Sequence, residues 1–360
     1  MKLINNKTVY VGVSGGVDSS VAAAMLKDQG YNVVGVFIRT WSPSFIECTW
    51  KSERLDAMRV CAHLGIPFLE CDAELAYKKG VADYMIEEYR KGNTPNPDVM
   101  CNREVKFGVF WQFAKDHGAD YIATGHYAIN NLQSTLSVLC KSIDSSKDQS
   151  YFLWTLTQDD LKHTLFPIGH LKKTEVRKLA MKYGLSTAVK KDSQGVCFLG
   201  SLDMKDFLKH YIETKKGDVL DENGKIIGSH DGAVFFTLGE RHGFNIFKND
   251  ENSKSLYIIF KDINRNTITV SRRPQLGEEN THNTSKVTCK NVNWILGICP
   301  TNDKLYTAQI RYHGELLNCK INCISETCAE VYFEKDVLVD KGQSIVIYDN
   351  YICLGGLIVG

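Results

Sequence analysis

What the chain lacks narrows it first. No apolar run approaches the ~20 residues needed to cross a bilayer; the run at Asn32–Ile38 with its neighbours falls far short. Met1-Lys2-Leu3 leads within a few residues into a strand pattern and carries no secretory leader, so a cytoplasmic location is expected. Net charge is only +1, from 43 Lys and Arg against 42 Asp and Glu, so the total identifies no partner. The 12 cysteines form no dense framework, and in a reducing compartment they are expected to be reactive or simply buried. No internal repeat or low-complexity segment interrupts a composition of 43% hydrophobic and 24% charged residues, and only seven residues are proline. At 360 residues there is room for two or three domains with a sizeable core.

Charge is unevenly spread. Between Lys162 and Lys216 lie Lys172, Lys173, Arg177, Lys178, Lys182, Lys190, Lys191, Lys205, Lys209, Lys215 and Lys216, with few acids among them. Charge alone leaves two readings open, a solvated helix face or a surface that attracts phosphates.

The chain divides into two unlike halves. Up to about residue 200, strand patterns at Thr8–Val13, Val33–Ile38, Pro67–Cys71 and Tyr121–Thr124 alternate with helical ones at Glu53–Leu64, Val105–His117 and Thr174–Tyr183. Such alternation predicts a doubly wound parallel sheet with helices on both faces. Ligands of such sheets bind at the carboxyl ends of the strands, so Ser14, Ile38 and the Gly125-His126 pair are expected on one rim. After a short helical stretch at Leu202–Ile212 the pattern turns to β. Turn signals at Asp221–Lys225 and Asp262–Asn266 precede alternating runs at Thr307–Tyr312, Val331–Phe333 and Ser344–Tyr348. The expected division is 1–200 for the α/β domain, 201–280 for a small, mostly β central domain and 281–360 for a C-terminal β-barrel.

The richest segment is Ser14-Gly15-Gly16-Val17-Asp18-Ser19-Ser20, set between a β-branched strand and the helical run Val21–Leu26. Two glycines allow a tight turn and close approach of backbone to a ligand. The hydroxyls of Ser19 and Ser20 fall where unpaired N–H groups and the helix dipole favour an anion. No Lys follows the second glycine, which excludes the G-x-x-x-x-G-K-[ST] nucleotide loop. The S-G-G-x-D-S pattern resembles the pyrophosphate loop of the N-type ATP pyrophosphatases, of the adenine nucleotide alpha hydrolase-like fold. These enzymes split ATP between its α and β phosphates to adenylate a substrate.

Two cysteines have distinctive surroundings. Cys101 follows Thr94-Pro95-Asn96-Pro97-Asp98-Val99-Met100, whose prolines predict a rigid, non-helical approach, with a helix starting just beyond. A thiolate near a helix N-terminus is stabilised. Cys197 lies in the turn-rich Asp192–Gly200 segment. Taken singly, each cysteine reads as a small buried hydrophobe sooner than as a reactive thiol.

With those motifs in place, the chain resembles the bacterial tRNA-specific 2-thiouridylases from Val9 almost to its last residues. The markers are the loop at 14–20, T-P-N-P-D-V-M-C-N at 94–102, A-T-G-H-Y-A at 123–128 and S-K-D-Q-S-Y-F-L at 146–153. They continue with D-S-Q-G-V-C-F at 192–198, G-S-H-D-G at 228–232, R-Y at 311–312 and G-Q at 342–343. The resemblance implies ATP-dependent sulfur insertion at carbon 2 of the wobble uridine of tRNAs for Lys, Glu and Gln. A uracil carbonyl oxygen leaves poorly, so ATP first converts it to an adenylate and pyrophosphate departs. By that resemblance Gly12, Val13, Ser14, Gly15, Gly16, Val17, Asp18 and Ser19 hold the phosphates, with Mg²⁺ offsetting charge, while Ile38 and Gly125 meet the adenosine. Asn96, Pro97 and Asp98 are implied to hold the target base, which must leave its stack. Asp98 either shuttles a proton or merely forms the turn.

Sulfur is implied to arrive as a persulfide on Cys197, from a cysteine desulfurase or a relay carrier, with Cys101 as the second active thiol. Either the terminal sulfur of Cys197 attacks directly and Cys101 then closes a disulfide with Cys197, or Cys101 first releases hydrosulfide. Disulfide closure requires Cα atoms within about 7 Å, so at least one segment must move. His126, Lys147, Asp148, Gln149, Arg311, Tyr312 and Gln343 match family positions near the tRNA. Arg311 and Tyr312 also fit solvent-facing strand residues. The lysine-rich stretch is then expected to face the tRNA backbone, with affinity falling steeply in salt.

The sequence departs from the family at Glu240, within Thr237-Leu238-Gly239-Glu240-Arg241, where Gln is usual, and at Leu357, where a glycine is usual. No metal site is expected: the spacing of Cys319, Cys323 and Cys328 lacks paired short intervals and a fourth ligand. Cys299 and the remaining cysteines carry no signal beyond burial. Another ATP pyrophosphatase of the lysidine-synthetase or amidating-ligase type would need the loop but no cysteine pair. A tRNA-binding protein without catalysis would need neither.

Overall fold

The computed structural model describes residues 6–46, 50–133, 135–191, 203–247, 256–272 and 284–360. Its first half is built on five parallel strands in the order Phe68–Asp72, Asn32–Arg39, Thr8–Gly12, Tyr121–Ala123 and Thr164–Leu165. The strand Thr8–Gly12 is central, with Val11 opposite Gly35 on one side and Ala123 on the other. Val9 and Val11 are accordingly fully buried, which is why this strand reads as an unbroken apolar run. The chain winds outward from this strand through Asn32–Arg39 and then crosses to Tyr121–Ala123. Between Thr8–Gly12 and Tyr121–Ala123 the winding therefore reverses, and such a switch opens a crevice at the strand ends.

The helix bearing Cys101 differs from expectation. It begins at Pro97, not beyond Cys101, because the Asn96 side chain accepts from the N–H groups of Asp98 and Val99 and Pro97 occupies the first helical position. The turns Pro97–Cys101, the wider π-helical stretch Asn102–Val109 and Phe110–Asp116 run on from one another. A second π-helical stretch, Lys78–Asp83, lies in the preceding helix between Glu74–Tyr77 and Tyr84–Arg90.

The central sheet has the order Asn245–Ile246, Ile226–His230, Gly217–Leu220, Thr267–Ser271, Tyr257–Asp262. Both predicted turns are present: Asp221 accepts from the N–H groups of Asn223 and Lys225, and Asn266 takes a positive φ of 54°. Beyond it, six antiparallel strands close into a barrel: Thr284–Trp294, Cys328–Val337, Leu316–Cys323, Tyr306–Gln309, Ser344–Asp349 and Ile352–Val359, the first pairing with the last. Leu357 is fully buried among Val287, Cys319, Val331 and Ile345, so this departure from the family fills the barrel core. Glu240 is held by Lys205 at 2.6 Å. The strand expected at Thr307–Tyr312 ends at Gln309, and Arg311 and Tyr312 stand in the turn that follows. Cys299 is exposed rather than buried, and it is disulfide-bonded to Cys323, 24 residues away.

The polar segment after His126 forms a hairpin, Ala128–Gln133 with Leu136–Lys141, which joins the barrel sheet through Cys140 opposite Ile352. One core cluster accordingly runs across the boundary, from Tyr10, Val36 and Phe107 through Leu139, Tyr151 and Trp154 to Val346, Tyr348 and Cys353. Trp154 Nε1 donates to Ser344 Oγ at 3.2 Å and Tyr151 Oη to Ser344 O at 3.1 Å. Among the described residues no helix is long and apolar enough to cross a membrane.

Candidate active site

The Gly-rich loop takes the shape that its residue types favour. Gly15 has φ +71°, and a side chain there would meet the backbone oxygen of Glu53 at 2.7 Å. Ser14 N donates to Ser19 Oγ at 3.2 Å, and Ser20 Oγ donates to Gly16 O at 2.7 Å. Gly16 precedes the helix Val17–Asp28 and supplies no side-chain cap, so the first-turn N–H groups are left to an anion. The expected rim is assembled. A Cβ on Gly125 would fall 2.6 Å from Ser19 N, and one on Gly12 would meet Ile38 Cδ1 at 3.5 Å and Phe110 Cε1 at 3.6 Å.

Two lysines close on this loop from far along the chain. Lys173 Nζ donates to both carboxylate oxygens of Asp18 at 2.8 Å, and Tyr127 Oη donates to Asp18 Oδ1 at 2.9 Å. Lys190 Nζ donates to Gly15 O at 3.0 Å and to Asp56 Oδ2 at 2.8 Å, which holds the Asp56 carboxyl below its usual range. Both lysines belong to the basic stretch expected to face RNA; here they face the Gly-rich loop instead. Lys205 and Lys209 are engaged as well, by Glu240 and Asp231. The basic stretch is therefore no uniform RNA face: Lys173, Lys190 and Lys205 are half-buried and paired, while Lys172, Lys178, Lys182, Lys191, Lys215 and Lys216 are solvent-exposed.

The helix from Pro97 carries the second group of expected residues. Asn96 and Pro97 stand at its start, Asp98 is half-buried, and Cys101 is only 2% exposed, packed with Tyr77, Met85, Phe207 and Leu208. Burial pushes the Asp98 carboxyl up from the usual carboxylate range, and the charge of Lys106 opposes the rise. His126 is 6% exposed, its Nδ1 paired with Thr124 Oγ1 at 2.7 Å and its ring beside Phe107 and Phe166. Burial, with Lys106 adding to it, drops its pKa well below the usual imidazole value, so the ring is neutral. Lys106 thus acts on both neighbours. No sequence signal marked it, because Asp98 was read as lying before the helix that carries Lys106. Cys197 and the whole Asp192–Phe198 motif lie outside the described residues.

Several residues expected at the tRNA are turned inward in this conformation. Buried His126 cannot reach a surface-bound RNA without movement. Asp148 accepts from Ser142 N at 2.8 Å and Ser150 Oγ at 2.8 Å, which closes its own turn, and Gln149 Oε1 accepts from Tyr127 N at 3.0 Å, 22 residues away. Lys147, beside them, donates its N–H to Asp144 O. Tyr312 lies tilted against Phe152 with ring centres 4.3 Å apart. Arg311 donates to Leu238 O and is lowered in pKa by burial; with Gln343 it lines a cavity of about 320 Å³ between the central sheet and the barrel. Among the described residues no three His, Cys, Asp or Glu side chains converge as metal ligands.

Three family models match the chain end to end. They are the tRNA methyl transferase HUP domain over residues 7–201, the tRNA methyl transferase PRC-barrel domain over 205–272 and the Aminomethyltransferase beta-barrel domain over 284–359. Curated relatives are similar throughout. The tRNA-specific 2-thiouridylase MnmA of Bacillus subtilis (strain 168) is 40% identical over 356 residues, 97% of this chain and 93% of that one. The enzyme of the same name from Lacticaseibacillus paracasei is 40% identical over 98% of this chain and 94% of its own. That of Francisella philomiragia is 39% identical over 99% and 100%. The model descriptions speak of methyl transfer and the relatives of thiolation; the relatives, matched across all three regions at once, decide between them. A solved 4-thiouridine synthetase–RNA complex with bound ATP has a TM-score of 0.34 and 19% identity, covering 57% of this chain and 50% of that one, too remote to bear on the site.

Proposed function

Starting from a chain that belongs to the tRNA-specific 2-thiouridylase family, we propose that it thiolates the wobble uridine of tRNAs for Lys, Glu and Gln through Cys101 and Cys197. The family activity, ATP-dependent thiolation of uridine in tRNA, makes it a tRNA-uridine 2-sulfurtransferase. The domains we assign are 1–200 for catalysis, 201–280 as the central connector and 281–360 as the RNA-binding barrel, in a cytoplasmic enzyme.

The observation that carries the residue assignment is the packing of Gly125 and Ile38 against the loop whose Asp18 and Gly15 are gripped by Lys173 and Lys190. Donors aimed at departing pyrophosphate act where charge develops, which is where electrostatic catalysis gains most. Gly12 to Ser19 take the phosphates, while Ile38 and Gly125 flank the adenosine. Mg²⁺ accompanying ATP would neutralise phosphate charge; Asp18, both of whose oxygens accept from Lys173, instead anchors that lysine beside the loop. Asn96, Pro97 and Asp98 receive the flipped base, and burial raises the Asp98 carboxyl above the usual carboxylate range, so it holds a proton more readily than an exposed carboxylate does.

Uridine O2 attacks the α-phosphorus and pyrophosphate leaves. The terminal sulfur of the Cys197 persulfide then attacks carbon 2, and AMP leaves with the C–O bond electrons. Cys101 thiolate attacks the inner sulfur of Cys197, breaking its bond to the base-borne sulfur and leaving C=S on the base and a Cys101–Cys197 disulfide, which an external thiol reduces. Cys101, buried in this conformation, has to be uncovered for that step. The persulfide is supplied by a donor protein, a cysteine desulfurase or relay carrier.

The test is mass spectrometry of anticodon nucleosides after incubation with unmodified tRNA-Lys, ATP, Mg²⁺ and a persulfide donor. Wild type is expected to form 2-thiouridine, and Cys101→Ser and Cys197→Ser are not. Thiolation by both variants would remove the two-thiol mechanism.

A further inference from the structure

Three regions of the chain meet at one buried ion pair. Lys261, on the central strand Tyr257–Asp262, reaches Asp340, before the barrel strand Ser344–Asp349, at 2.7 Å; the two side chains are 7% and 4% exposed. Asp340 Oδ2 also accepts from Thr94 Oγ1 at 2.9 Å and from Leu238 N at 3.1 Å. Lys261 Nζ donates further to Phe236 O at 2.9 Å and to Thr94 Oγ1 at 3.4 Å. Thr94 begins the segment that leads through two prolines to Asp98 and Cys101. Its own N–H donates to Lys341 O at 2.7 Å, and Gly342, at φ +85°, lies so close that a Cβ would stand 3.1 Å from Thr94 N.

Such a pair is a poor source of stability, since desolvation cancels much of its attraction. What a fully bonded buried network does supply is one fixed geometry. Here the fixed object is Thr94, and Pro95 and Pro97, with φ locked, carry that position on to the base-holding residues. Asp340 is also one bond from each of two residues in the 320 Å³ cavity. Its N–H donates to Gln343 Oε1 at 2.9 Å, and the Leu238 residue that donates to it accepts from Arg311 through its own carbonyl. Arg311 Nε is buried and has no partner among the described residues, so the guanidinium has donor capacity left to offer.

We propose that Asp340, Lys261 and Thr94 are positioning residues that link an RNA phosphate entering the Arg311–Gln343 cavity to the seating of Asn96–Cys101. The proposal rests on the reading that Asn96–Cys101 carries the base and a reactive thiol. A phosphate that draws Arg311 and Gln343 away from their internal partners loosens two bonds around Asp340, and Thr94 moves in response.

The experiment uses the full chain with Thr94→Val, which removes only the hydroxyl's bonds, Thr94→Ser as its conservative rescue, and Asp340→Asn. Three quantities are read: single-turnover thiolation at saturating tRNA, KM for tRNA, and iodoacetamide alkylation of the Cys101 peptide with and without tRNA. Thr94→Val is expected to lower the single-turnover rate about tenfold with KM within twofold, a barrier change of about 1.4 kcal/mol. It should also abolish the tRNA effect on Cys101 alkylation, and Thr94→Ser should restore both. Wild-type alkylation that does not respond to tRNA overturns the link whatever the variants do. So does a Thr94→Val enzyme that matches wild type in rate and alkylation. If wild type does not thiolate but its Cys101 responds to tRNA through Thr94, the link stands and the thiolation reading falls.

Discussion

Gly125→Ala tests the geometry of the nucleotide site with a single methyl group. The new Cβ would stand 2.6 Å from Ser19 N and 2.9 Å from the Asp18 carbonyl carbon, both backbone atoms, where ordinary contact begins at 3.4 Å. Neither atom can rotate aside, so the turn after Tyr121–Ala123 and the phosphate loop must part by about 0.8 Å, the shortfall at the closest contact. Overpacking of this kind costs about 1–3 kcal/mol of stability. Displacing a catalytic array by ~1 Å costs about 100-fold in rate. The expected result is a fall in kcat/KM for ATP of roughly 30- to 100-fold in tRNA-dependent pyrophosphate release, with tRNA affinity unchanged. A variant within threefold of wild type, melting at the same temperature, would mean that Gly125 is not pressed against Ser19 in the working enzyme.

Other substitutions address separate links. Lys173→Met leaves the Asp18 carboxylate without its two-point partner; at about 2 kcal/mol for a part-exposed charged pair, pyrophosphate release should drop roughly 30-fold, and Lys173→Arg should recover part of it. Full activity in Lys173→Met would reduce that lysine to a loop staple. For Asp98→Asn the sign follows from the raised carboxyl pKa. The wild-type carboxyl contributes stability below its unfolded value near 3.8 and loses it as pH rises through the raised folded value, so the non-titrating variant should gain in melting temperature over wild type between pH 4 and 7. Parallel pH curves would contradict the burial. Reductant should cost the wild-type barrel about 3 kcal/mol, from opening a loop of 24 residues, and leave Cys299→Ser/Cys323→Ser unaffected in denaturant melts.

The strand–turn–helix shape of the Gly-rich loop was legible because its determinants are local: strand, two glycines, acid, hydroxyls and helix follow one another without interruption. Its lysines were visible only as charge. Lys173 and Lys190 stand 155 and 175 positions from their partners, and nothing in a basic run says which members fold back. The start of the Cys101 helix was misplaced for a different reason. Proline reads as a breaker, yet after an Asn that caps the turn it is the preferred first helical residue. Nothing local shows that the partner strand of the hairpin at Ala128–Lys141 lies some 200 residues on, and the Cys299–Cys323 pairing joins two cysteines that carried no signal of their own. The parallel sheet, by contrast, follows from buried β-branched runs, and alternation alone announced the β character of the second half.

The pairing of Cys140 with Ile352 also sets an order of events during synthesis. Leu139, Tyr151 and Trp154 share one core with Val346, Tyr348 and Cys353. These apolar faces therefore emerge from the ribosome long before their cover exists, and at 5–20 residues per second the wait is on the order of 10–40 s. For that interval the catalytic half is an incomplete folding unit with an open β-edge, the kind of surface that recruits strands from other chains. A nascent chain stalled anywhere before the last two strands should consequently be a better client for chaperones than either the finished protein or a much shorter fragment.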